Sequence, residues 1–264
     1  MLIIGERINS SRKSIFEAIE KKDIKFIQQE AINQINSGAH MLDINCGTNL
    51  KSEKLDMEWL IKIIREVTNV PFVIDSPNPE VIEYGLSIYT GNRVMVNSVT
   101  GELKRMEDIF PLVKKYNTDI IALTLDESGM PHTAQQRLNV AKKIINKAKE
   151  YGISEEKIYF DCLVRPVSTE PEQILEFLNA LKMIKNENPN VKTICGLSNV
   201  SFGLPNRKLI NSVFVVLCLY NCLDAALIDP TIKEMVSSIY ATEVLLNKDE
   251  FCLNYITACR EGKI

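Results

Sequence analysis

The side chains best able to do chemistry in this chain are acids and amides that sit just after short apolar runs. Glu6 and Asn9 follow Leu2–Ile4. Asp43 and Asn45 close the run that begins at Met41, Asp75 follows Phe72–Ile74, and Asn97 with Ser98 follows Arg93–Val96. Thr124 and Asp126 follow Ile120–Leu123, and Asp161 follows Ile158–Phe160. Ser198 and Asn199 follow Thr193–Cys195, and Asp229 follows Ala225–Ile228. An Asp or Asn after a strand often caps the next helix. Three of these residues fit that role poorly. Asp75 precedes Ser76-Pro77-Asn78-Pro79, where Ser76 or Asn78 is the better-placed cap. Asp161 and Asn199 stand well before the helices expected near Glu172 and Pro205.

Acids and amides with few bases suit a neutral ligand rich in N–H donors. A carboxylate accepts two parallel N–H bonds, and an amide both donates and accepts. A fused 2-amino-4-oxopyrimidine presents such an edge. A phosphate fits less well, because Asp229-Pro230-Thr231-Ile232 lacks the glycines that expose backbone N–H groups. A magnesium or calcium site on Asp43, Asp75, Asp161 or Asp229 is chemically allowed, but nothing in the spacing requires one, and none is assigned.

The elements that must position these groups alternate regularly. Between the apolar runs lie segments with helical spacing: Ile24, Ile27, Ala31, Ile35; Trp59, Leu60, Ile63, Ile64, Val67; Leu138, Val140, Ala141, Ile144, Ile145; Ile174, Leu175, Phe177, Leu178, Leu181. Ser37-Gly38 and Tyr151-Gly152 read as helix stops. Eight strand–helix units in 264 residues predict one α/β domain over residues 1–264, a (β/α)8 TIM barrel. A doubly wound open sheet is the alternative, but the first turn, Gly5-Glu6-Arg7-Ile8-Asn9, has no dinucleotide-binding glycine pattern. In the barrel every acid and amide named above falls at the C-terminal strand ends and joins one polar ring.

Bulk composition limits the rest. The chain is 45% hydrophobic and 25% charged, with net charge −3, so it has an ordinary core and no basic field for nucleic acid. No run reaches the ~20 apolar residues that span a bilayer, and the start lacks secretory-signal features, so a cytoplasmic protein is expected. Seven cysteines without a CxxC pair, and only His40 and His132, argue for reduced, mostly buried thiols rather than zinc. His132 reads as a surface residue.

Several stretches, taken in order, carry a family resemblance: MLIIGERIN from Met1, MLDINCG from Met41, FVIDS from Phe72, VNS from Val96, YFD from Tyr159, GLSNVS from Gly196, Asn206-Arg207 with Leu209–Asn211, and LDAA from Leu223. Together they resemble the methyltetrahydrofolate:corrinoid methyltransferases of the pterin-binding barrel superfamily. The resemblance implies a pterin ring held by Asp75, Asn97 and Asp161. It implies that Asn199 is the catalytic residue, reaching the N5 atom that carries the methyl group. It places Gly196, Ser198, Phe202, Arg207 and Glu6 around the substrate. Phe202 stands where family members commonly have a polar residue. Arg207 either meets the glutamate tail of folate or pairs locally with an acid, and Glu6 either lines the pocket or supports loop 1.

The implied substrates are tetrahydrofolate or 5-methyltetrahydrofolate and a corrinoid (cobalamin). The corrinoid arrives on a separate corrinoid protein, since neither histidine fits an Asp-x-His-x-x-Gly motif. A homodimer is also implied, and the apolar helix Val213–Leu219, with Leu223 beyond it, is the candidate face. Competing possibilities are a dihydropteroate synthase-like enzyme, a tetrahydromethanopterin-using relative and a non-catalytic pterin-binding subunit.

Overall fold

A computed structural model describes residues 1–264. Eight parallel strands close into a barrel in sequential order: β1 Leu2–Gly5, β2 Met41–Asn45, β3 Phe72–Asp75, β4 Val94–Thr100, β5 Asp119–Leu123, β6 Ile158–Asp161, β7 Lys192–Gly196 and β8 Ala225–Ile228. Around them run ten helices: α1 Lys13–Glu20, α2 Ile24–Asn36, α3 Glu53–Arg65, α4 Pro79–Ile88, α5 Leu103–Tyr116, α6 Ala134–Glu150, α7 Gln173–Glu187, α8 Arg207–Tyr220, α9 Lys233–Leu245 and α10 Leu253–Arg260. The (β/α)8 barrel expected from the alternation is present. The two helices beyond one per strand are α1 and α10. The short α1 buries Ile15, Ala18 and Ile19 at helical spacing.

Strand periodicity explains both what fills the barrel and what lines its mouth. Ile4, Met41, Val73, Met95, Ile121, Tyr159 and Ile194, one from each of β1 to β7, pack with Ala225 and Leu227 of β8 into a small buried cluster inside the barrel. Alternate residues such as Leu42, Phe72, Ile74, Val96 and Ile120 pack outward against the helices in the main core. Side chains alternate with period two. Two residues beyond Ile4, Met41, Val73, Met95 and Tyr159 stand Glu6, Asp43, Asp75, Asn97 and Asp161. The same pleat that fills the interior therefore sends these five side chains inward at the C-terminal end, where this fold places its active sites.

One strand boundary differs from expectation. β4 does not end before Asn97 but runs on to Thr100, with a register shift against β5 between Asn97 and Val99. The added pairing is possible because the bulge lets Val99 and Thr100 rejoin β5 after the irregularity. Asn97 is thus held within a strand, with a cis peptide bond to Ser98.

Asn78, one of the two caps expected before α4, accepts from the Glu80 N–H at 2.9 Å. Gly38 and Gly152 both have positive φ at the helix ends read from sequence. All seven cysteines are free, and Cys46, Cys162, Cys195 and Cys218 are buried. His132 is exposed. No helix is long and apolar enough to cross a membrane.

Candidate active site

The β3 and β4 ends carry the most ordered part of the mouth. Asp75 pairs in register with Asn45 on one side and Asn97 on the other. The Asn45 amide donates to Asp75 Oδ2 at 2.8 Å, and its own oxygen accepts from the Gly47 N–H at 3.2 Å, which fixes the amide's orientation. Asp43, fully buried on β2, has the Asn97 amide against it and one oxygen, Oδ1, with no partner. Burial pushes the Asp43 carboxyl well above its ordinary range, and the neighbouring Asp75 charge pushes it further. Burial also raises Asp75 to about 6, with the Asn45 bond opposing.

Across the barrel, Asp161 is shaped by backbone. The chain after β6 turns through Leu163 in the left-handed region, φ 64°, a conformation costly for a residue with a branched side chain. That turn points the Leu163 N–H at Asp161 Oδ1, 2.7 Å away. Burial raises Asp161 to about 6, while the N–H groups of Leu163 and Gly196 and the charge of Arg137 work against the rise. Arg137 is itself fully buried, donating to Cys162 O at 2.7 Å and to Gln173 Oε1 at 3.0 Å.

Asn199 sits on the 3-10 turn Leu197–Ser201 that follows β7. It is exposed, and its backbone oxygen accepts from the Phe202 N–H at 3.1 Å. The carboxamide lies over Gly196, where an added Cβ would stand 3.3 Å from Asn199 Nδ2. A side chain at 196 would stand tight against the amide, which would have to shift to admit it. Ser198 donates to both oxygens of Glu6, at 2.8 and 3.1 Å, closing β1 onto the β7 loop. Glu6 therefore lines the mouth, and burial raises its pKa despite the Ser198 bond.

Arg207 corrects one expectation. It does not pair with an acidic side chain. Its Nε donates to Ser201 Oγ at 3.0 Å and its terminal nitrogen to Ser198 O at 2.7 Å. The first residue of α8 thus fastens the turn that carries Asn199, because the nearest acceptors after β7 are backbone and hydroxyl oxygens. Phe202 is exposed beside this turn, and its carbonyl accepts from Ser168 Oγ at 2.8 Å.

Two members of the polar ring serve local structure instead. Asp126 accepts from the Ser128 N–H at 2.9 Å, and Asp229 accepts from the Thr231 N–H at 3.0 Å. Asp229 also pairs with Arg7 at 2.7 Å, and Arg7 is held by Glu30 as well. The base nearest the β8 loop is thereby neutralised rather than offered to an anion.

The mouth thus gathers the buried Asp43 and the half-buried Asp75 and Asp161, with the amide Asn97 among them, and on the turn after β7 one amide, Asn199, left without a protein partner. The sequence also matches a known family. Residues 5–229 match the family model described as pterin binding enzyme.

The chain belongs to the pterin-binding enzyme family.

Within that family it belongs with the methyltetrahydrofolate:corrinoid methyltransferases. It is 36% identical to the methylcorrinoid:tetrahydrofolate methyltransferase of Eubacterium limosum, over 100% of this chain and 98% of that one. It is 32% identical to the methionine synthase of Mycobacterium leprae over 86% of this chain, a stretch that makes up 20% of that longer protein. Among solved structures the chain is similar to a dihydropteroate synthase from Xanthomonas albilineans, with TM-score 0.72 over 93% of both chains at 14% identity, a likeness of fold.

The strand-end pattern placed Asp75, Asp161 and Asn199 at one mouth, and the barrel brings those strand ends to the same rim. It did not single out Asn45 as the brace of Asp75, although the period-two pattern from Asp43 puts it on the same face. It also passed over Arg105 and Arg137, which lie on helices and carry no signal in the strand-end pattern.

Proposed function

We propose that this enzyme moves a methyl group between N5 of tetrahydrofolate and the cobalt of a corrinoid carried by a separate protein. The observation that carries the proposal is the presence, at one barrel mouth, of the half-buried carboxylates Asp75 and Asp161 together with the partnerless amide of Asn199. The carboxylates and Asn97 suit the amino and ring N–H edge of the pterin. In demethylation of the folate, the cobalt(I) electron pair forms the new cobalt–carbon bond. The carbon–nitrogen pair stays on N5, which leaves readily only if it is protonated.

Asn199 has no titratable proton to give. Its oxygen can accept from protonated N5, an interaction stronger in the charged transition state than in the ground state. The proton then comes from solvent, to which Asn199 is open. One transition state serves both directions, so the same residues act whichever substrate supplies the methyl group. The glutamate tail of folate is assigned to the Arg207 side, where that guanidinium is exposed.

The corrinoid is treated as a second substrate delivered over the mouth. A dihydropteroate synthase-like reaction is disfavoured because no Ser-x-Arg motif follows the last strand and Arg7, beside it, is paired with Asp229. A second copy of this chain is a further partner, pairing through the face of α8 that exposes Leu209, Val213, Leu217 and Tyr220. Leu219 and Leu223 do not belong to that face, because both are buried in the main core between the helices and the sheet. Val213→Asp is expected to sediment as a monomer where the unmodified protein sediments as a dimer.

The reaction is tested by titrating 5-methyltetrahydrofolate with and without a cobalt(I) corrinoid, and methylcorrinoid against tetrahydrofolate. Binding without methyl transfer in either direction would reduce the protein to a pterin-binding subunit.

A further inference from the structure

Arg105, in the first turn of α5, makes four hydrogen bonds, and all end on backbone carbonyls. Its Nε donates to Ser98 O at 3.0 Å and one terminal nitrogen donates to Ser98 O at 2.7 Å and Ser76 O at 3.2 Å. The other terminal nitrogen donates to Pro77 O at 2.6 Å. These carbonyls belong to the residues immediately behind Asp75 and Asn97. A third link runs between the same loops, from the Ser76 N–H to Asn97 O at 3.2 Å.

A planar guanidinium with five donors in a fixed fork can span such a set of acceptors; an ammonium on a flexible stem cannot hold the same geometry. A half-buried arginine with no carboxylate partner needs a reason to stay. Here the reason is two loop backbones whose carbonyls would otherwise be under-satisfied.

We propose that Arg105 is a positioning residue that sets the spacing and aim of Asp75 and Asn97 by tying together the backbone behind both. It touches neither pterin nor corrinoid. Its action is felt through two groups that must meet one ligand edge at once, where small displacements are costly. The proposal deepens the pterin-contact reading above and rests on it.

The test uses the full-length enzyme, with 5-methyltetrahydrofolate as the probe and calorimetric affinity as the readout. Arg105→Ala is expected to weaken binding about tenfold or more, and millimolar guanidinium chloride to recover a substantial part of the loss. The same concentration of methylammonium chloride should recover none. Arg105→Lys should stay weak despite its charge, with KM raised more than kcat is lowered. Melting curves accompany each variant, and if Arg105→Ala does not fold, Arg105→Lys carries the test.

Wild-type affinity in Arg105→Lys, or an Arg105→Ala defect that guanidinium leaves untouched, would overturn the positioning role. Asp75→Ala is the control that separates the two ideas. Loss of folate binding there, with Arg105 variants unaffected, defeats this proposal alone. Unchanged binding in Asp75→Ala defeats the pterin reading and this proposal with it.

Discussion

At the ends of β2, β3, β4 and β6 the polar groups are buried or half-buried and braced; after β7 Asn199 stands exposed on a short turn. Asp75 is held by Asn45, Asp161 by the Leu163 N–H, and the loops behind Asp75 and Asn97 by Arg105. The turn at Asn199 is fastened only at its backbone and base, through Arg207 and Ser198, so the amide itself is free to rotate. The contrast suggests a division of labour. A ligand edge that does not change during reaction is best met by fixed acceptors, ordered before binding. An atom that gains a proton and loses a methyl group is best met by a group that can reorient.

That comparison breaks most sharply at Asn199. Asn199→Ala is expected to lose about 10²–10³ in single-turnover methyl transfer at saturating folate, the scale of losing one hydrogen bond made in the transition state, with affinity changed far less. A variant that melts normally, binds folate and transfers methyl at the wild-type rate would show that the free amide is incidental.

The braced side should show the reverse pattern. Asp75→Ala or Asp161→Ala is expected to weaken 5-methyltetrahydrofolate binding by about 2 kcal/mol, the scale of losing a charged acceptor. Equal affinity in both variants would remove the pterin from that side of the mouth.

A smaller effect sharpens the same side through pH. Asp75 and Asp161 both sit near 6 when the site is empty. Pterin N–H donors favour their ionised forms, so binding lowers both values and affinity falls as pH drops below about 6. Calorimetry from pH 5 to 8 should give a plateau above 6 and weaker binding below, and Asp161→Asn should flatten the dependence. A pH-independent affinity in the wild type would contradict the assignment.

The smallest expected effect is on stability. A carboxyl raised from its ordinary 3.8 to about 6 keeps, in the folded state, a proton that the unfolded chain has released. Stability is therefore lost as pH rises through that window, and the loss persists above it. Asparagine never ionises, so Asp161→Asn should melt a few degrees higher than wild type at pH 8, with the difference gone below pH 4. A lower melting temperature at pH 8 would mean that the ionised carboxylate is structurally needed.

Much of this site was legible along the chain because a strand's pleat is a local property. Apolar residues ending in Asp75 or Asp161 already imply an inward side chain at a strand end, and the prolines after Ser76 already relieve Asp75 of capping. That Arg207 fastens the turn before it rather than pairing with an acid was not legible, because the chain gives no distance between a guanidinium and the turn that precedes it. The extension of β4 past Asn97 was hidden by a register shift against β5, a decision made between strands rather than within one.

The sequence by itself determined the eight strand–helix alternations, the closed barrel they imply and the type of group at each strand end, since short-range periodicity and turn chemistry suffice for these. Only the tertiary structure decided that Ser198 would reach Glu6 across 192 residues, that Arg105 would bind two loops, and that Asp75 and Asp161 would be raised to about 6 while Asp126 and Asp229 became local anchors. The physical reason is that partners and desolvation are set by everything packed around a group, and barrel closure alone brings those surroundings together.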